Sequence, residues 1–166
     1  MKTITTIIFA LAFLLATLLA GAQSKSDKIY DVFSGRDGVT NFTFSKNMID
    51  AIDLDLGEDD DERSVTGDLH KIKFLSYNPE KGDLSANDFT KKAIGMLPSQ
   101  YKKYEDDEDD DAEIWLLGKK KKYSECHVFT KGEDNASFRI IVSFYGDFTV
   151  NDIDKLREKG KGFSDE

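Results

Sequence analysis

The run Ala136-Ser137-Phe138-Arg139-Ile140-Ile141-Val142-Ser143-Phe144-Tyr145 decides the fold. Phe138, Ile140, Val142 and Phe144 fall on one side of an extended chain, and Ser137, Arg139, Ile141, Ser143 and Tyr145 fall on the other. A period of two is that of a strand, and this division predicts a sheet with one buried face. Working back from it, Ala112 to Leu117 and Tyr123 to Thr130 are two further strand-like segments. Gly118 to Lys122 and Lys131 to Asn135 join them, so the last third reads as an antiparallel meander. Downstream, Thr149 and Asp152 form a capping pattern above Val150, Ile153 and Leu156, which predicts a closing helix before the polar tail 159–166.

The first half supplies the remaining elements. Ser26 to Phe33 carries Ile29, Val32 and Phe33 at helical spacing, with Ser26 or Asp27 as a cap and Gly35 as a stop. Val39 to Phe44 alternates as a strand, with Phe42 and Phe44 on one face. Ser45 then caps a helix striped by Met48, Ile49 and Ile52. Leu69 to Tyr77 alternates up to Asn78-Pro79 and reads as a strand. Ser85 with Asp88 opens a helix whose face is Phe89, Ala93, Ile94 and Leu97, and after Pro98 the stretch Ser99 to Tyr104 predicts a further helical turn or two. Helices that cover one face of a largely antiparallel sheet of about five strands predict a two-layer α+β sandwich. Residues 23–158 are expected to form it as a single domain.

Residues 1–22 have a different character. Lys2 precedes the uncharged run Ile4 to Ala20, and the small residues Ala20-Gly21-Ala22 predict signal-peptide cleavage before Gln23, hence a periplasmic or secreted protein with no membrane span after cleavage. Gln23 stands where a lipoprotein would carry cysteine, and Cys126 is the single cysteine, so neither a lipid anchor there nor an internal disulfide is expected. Loss of residues 1–22 removes Lys2 and no acid, which moves the net charge from −9 to about −10. That excess of carboxylates excludes generic binding to nucleic acid, whose phosphates require clustered Lys and Arg.

No motif for catalysis, cofactor or metal outweighs its structural explanation. Read from Asp53, a calcium loop would need a ligand at Gly57, a glycine at Glu58 and a glutamate at Ser64. The acidic runs Glu58 to Glu62 and Glu105 to Asp111 read as hydrated loops, with weak divalent-cation binding as a minor alternative. His127 cannot serve Cys126, because adjacent strand residues point to opposite faces. His70 could reach that cysteine only by tertiary placement, and Cys126 reads as a buried structural residue. Phe42, Phe44, Phe74, Phe89, Phe138 and Phe144 are all assigned to core faces. Trp115 faces away from Ile114 and Leu116; with Leu117 and the basic turn Lys119, Lys120, Lys121 and Lys122 it marks a candidate interaction surface for an envelope protein or a glycan.

The export signal ending in Ala22-Gln23, the helix Ile29-Tyr30-Asp31-Val32-Phe33, the segment Val39-Thr40-Asn41-Phe42-Thr43-Phe44-Ser45-Lys46-Asn47-Met48 and the stretch Ala136 to Tyr145 together resemble one family. It is a family of small secreted proteins of Bacteroidota-type bacteria, the domain of unknown function 4252 family. The resemblance implies an envelope location and a link to extracytoplasmic signalling, and it supplies no catalytic residues. The expected function is a non-enzymatic binding module of the envelope, with an envelope enzyme of unknown class as the alternative.

Overall fold

Residue Phe42 begins a lateral row of side chains that crosses an entire sheet: Phe42, Phe74, Val142, Val128, Ile114 and Tyr104 are successive register partners on six strands. The structure, a computed structural model, describes residues 24–52, 68–104, 112–120, 122–132, 134–149, 152–153 and 156–157. In chain order these form α1 (Asp27–Phe33), β1 (Val39–Ser45), α2 (Lys46–Ile52), β2 (Asp68–Tyr77), α3 (Ala86–Ile94), β3 (Lys102–Tyr104), β4 (Ala112–Lys119), β5 (Lys122–Thr130) and β6 (Arg139–Thr149). Residues 152–153 and 156–157 are helical. The fold is α+β, built on one six-stranded sheet in the order β1-β2-β6-β5-β4-β3, with every neighbouring pair antiparallel.

The meander is present as β4, β5 and β6, and the last of these is central in the sheet. It starts at Arg139 and continues to Thr149, four residues beyond the expected end at Tyr145. The sixth strand replaces the helical turns expected over Ser99 to Tyr104. Helix α3 already ends at Ile94 with Gly95 at its C-cap, the Tyr101 amide donates to the Pro98 carbonyl at 3.0 Å, and Lys102 to Tyr104 then pair with β4. Ser85 caps α3 as expected, its hydroxyl accepting from the Asp88 amide at 3.1 Å. The Thr149–Asp152 capping pattern also forms, the Asp152 carboxylate accepting from the Thr149 amide at 2.7 Å.

Both faces of the central strands are covered, in place of the single buried face expected. Ile72, Cys126, Val128, Val142 and Phe144 pack with Ile49 of α2 and with Ile153 and Leu156. On the other face Leu75, Tyr77, Phe129 and Ile141 pack with Ile29 and Phe33 of α1 and with Phe89 and Ala93 of α3. Helices therefore serve both faces, because Ile140, Val142 and Phe144 are apolar on one side of β6 and Ile141 is apolar on the other. Tyr77 and Phe89 stack at 4.4 Å, and Phe33 meets Phe89 at 4.7 Å. Two aromatic residues assigned to the core are outside it. Phe42 is 53% exposed because β1 is an edge strand, and Phe138 is 57% exposed because it precedes the first paired residue of β6.

Candidate functional site

Two adjacent lateral rows on the α1 face are polar. One runs Trp115, His127, Ser143, Lys73 and the other Leu117, Glu125, Tyr145, Lys71. They converge because i and i+2 residues of a strand share a face, and β2, β6, β5 and β4 lie side by side. Over them passes the segment Ser24 to Tyr30. Ser26 occupies the cap position of α1 but makes no side-chain cap bond; its hydroxyl instead donates to Glu125 Oε2 at 2.7 Å. Ser24 donates to Glu125 Oε1 at 2.7 Å and Tyr101 to Oε2 at 2.9 Å. Asp27 accepts from Lys73 at 2.5 Å and from the Tyr145 hydroxyl at 3.2 Å, with Lys71 at 3.8 Å from its second oxygen. The Lys71 ammonium also sits 3.9 Å from the centroid of the Tyr145 ring.

His127 links the two rows. Its Nδ1 lies 2.6 Å from Ser143 Oγ and its Nε2 lies 3.2 Å from Glu125 Oε2. Glu125 as a carboxylate only accepts, which puts the proton on Nε2 and leaves Nδ1 to accept from Ser143 in the neutral ring. Tyr30 closes the chain, its hydroxyl donating to Ser143 Oγ at 2.6 Å. Burial pushes the Tyr30 and Tyr145 phenols well up, so both remain neutral donors. Burial would also raise the Glu125 carboxyl, but hydrogen bonds from His127, Ser24 and Ser26 outweigh it and hold the carboxyl at about 2.

Serine, histidine and carboxylate in hydrogen-bonded order resemble an acyl-transfer relay. The surroundings are those of a packed core instead. Ser143 and His127 have no exposed surface, and Ser143 Oγ already accepts from the Tyr30 hydroxyl. The network joins the strap Ser24–Phe33 to strands that lie more than a hundred residues along the chain. Its role in the fold is to fasten that strap, since each buried polar atom here gains a partner.

The candidate surface of the sequence divides between these features. Trp115 is half-buried, packs beside the Phe129–Ile141 cluster, and donates from Nε1 to Glu113 Oε1 at 2.8 Å. Leu117 is half-buried in the Glu125 row. Lys119, Lys120 and Lys122 are exposed at the β4–β5 hairpin tip, and Lys121 lies outside the described residues. Cys126 is free and buried against the opposite cluster, where burial raises its thiol, and His70 is exposed. The acidic runs 58–62 and 105–111 and residues 1–22 also lie outside the described residues. Among the described residues no group of three or more His, Cys, Asp or Glu could hold a metal ion, and no helix is long and apolar enough to cross a membrane.

A second surface was hidden by the assignment of Phe42 to the core. Strand β1 is one edge of the sheet, and of its seven residues only Val39 and Phe44 are partly covered. It contains no charge, no proline and no glycine, in a chain of which 33% is charged. Phe42 lies on Phe74 with ring centroids 5.9 Å apart. The opposite edge, β3, is three residues long with Lys102 and Lys103 exposed. Short strands and lysines are how sheet edges resist pairing, and β1 has neither protection.

A model of the family described as Domain of unknown function (DUF4252) matches residues 30–156. No curated protein and no solved structure matches the chain.

Proposed function

The chain belongs to the DUF4252 family, and on that premise we propose that it is an exported, non-enzymatic binding module of the bacterial envelope that recognises its partner through the open edge of β1. The observation that carries this reading is the half-exposed Phe42 at the centre of an uncharged, unprotected edge strand. Edge amides and carbonyls give affinity to an added strand, and an exposed ring on one face gives it a side-chain contact to select for. The Lys119–Lys122 tip, with Trp115 and Leu117, is a second contact for an anionic group such as a glycan. A link to extracytoplasmic signalling fits the expected export signal joined to an edge-strand binding surface. Affinity capture by the mature protein from its own envelope tests the proposal. A partner retained by the wild type and lost by Phe42→Lys supports it, and capture indifferent to Phe42→Lys removes β1 as the site.

A second reading, an envelope enzyme, rests on the Ser143–His127–Glu125 contact order. Covalent labelling of Ser143 by a fluorophosphonate probe would support it; a buried relay predicts no labelling of the folded protein.

A further inference from the structure

We infer that the strand β1 receives is the β1 of a second copy, paired antiparallel about a two-fold axis at Phe42. The inference rests on the reading of β1 as a recognition edge and names the partner. Phe42 is the middle residue of Val39–Ser45. An axis through it sets Val39 against the partner's Ser45, Thr40 against the partner's Phe44, and Asn41 against the partner's Thr43. Phe42 then meets the partner's Phe42. In an antiparallel pair a residue directs its amide and carbonyl to the same side, and hydrogen-bonded and non-bonded pairs alternate, so a self-paired central residue is allowed whichever kind it is.

Three features make the copy a fitting occupant of this edge. The lateral row continues across the axis as Phe74, Phe42, the partner's Phe42 and the partner's Phe74, which removes a half-exposed phenyl from water at the point of closest approach. The two copies carry the same net charge of −9 and repel each other at long range, but β1 brings no charge to the seam, so the contact itself adds no local repulsion. The basic residue that follows the strand, Lys46, is held by Asp68 of its own chain at 2.7 Å, so it brings no unpaired cation to the ends of the seam. The two six-stranded sheets would join edge to edge, with β3 and its lysines at the outer margins.

Sedimentation of the mature protein tests this with wild type, Phe42→Lys, Phe42→Glu and an equimolar mixture of the two variants. Wild type is expected to show a reversible monomer–dimer equilibrium. Each variant alone is expected to raise the dissociation constant at least about tenfold, since like charges meet on the axis. The mixture is expected to recover dimer, because Lys and Glu then face each other; a residue important only for folding gives no such recovery. Unchanged far-ultraviolet dichroism verifies that the variants are folded, and Thr40→Lys provides a second disruption on the same strand. A wild type that remains monomeric up to about 1 mM overturns the inference. If envelope capture is nevertheless lost with Phe42→Lys, the edge-recognition reading survives with a different partner. A dimer that Phe42→Lys leaves intact also overturns the inference, because the axis would then lie elsewhere.

Discussion

Glu125 carries the clearest residue-level consequence. Its carboxyl is held at about 2 in the fold against an ordinary value of 4.5, so as pH falls the unfolded chain takes up this proton first. The contribution to stability is whole above about pH 4.5 and is lost as pH falls through about 2; discounted for partial solvent access it is about 2 kcal/mol. Urea unfolding of wild type and Glu125→Gln across that window should show the gap between them closing as the medium becomes more acid. A gap independent of pH contradicts the assignment. Ser143→Ala deprives Tyr30 and His127 of a shared partner and should cost about 1–3 kcal/mol in the same assay. Little of this network was legible beforehand. Glu125 and His127 share a face by their spacing, and Ser143 and Tyr145 stand in the most regular stretch of the chain. Their convergence needs the β5–β6 register, and their partners Ser24 and Ser26 arrive from about a hundred residues away.

At the level of elements, period and punctuation located most segments because they are local signals. The alternation of Leu69 to Tyr77 and the Ser85–Asp88 cap are each contained within about ten residues, and both appear as read. Strand β3 was missed because three residues cannot express a period, and Lys102 to Tyr104 become a strand only through pairing with Ile114 to Leu116. The lysine tip was legible as a turn but not its geometry. Lys120 has φ 53, in the left-handed region that a side chain disfavours. Lys120→Gly should therefore raise stability by about 1 kcal/mol, read as an upward shift of the thermal midpoint. A fall on that substitution would show that the lysine side chain contributes more than its backbone costs. Gly118, at the adjacent bulge, has the opposite constraint. An added Cβ would strike the Lys122 carbonyl and the Tyr123 backbone, so Gly118→Ala should destabilise the hairpin, seen as a lower midpoint.

On the scale of the whole molecule, strand order decided what composition could not. Phe42 alternates with polar neighbours as a core residue does, and only its position on the outermost strand leaves it half exposed. The expectation of one helical face failed for a related reason: β6 lies at the centre, where Ile141 and Phe144 each need cover. Two covered faces leave the edges as the places where the sheet backbone remains open, and of the two edges only β1 lacks lysine. Amide hydrogen exchange of the mature protein at low and high concentration tests that claim most directly. Protection is predicted to rise with concentration along Val39 to Ser45 and to stay constant along Lys102 to Tyr104. Exchange along Val39 to Ser45 that does not change with concentration would contradict the self-pairing of β1.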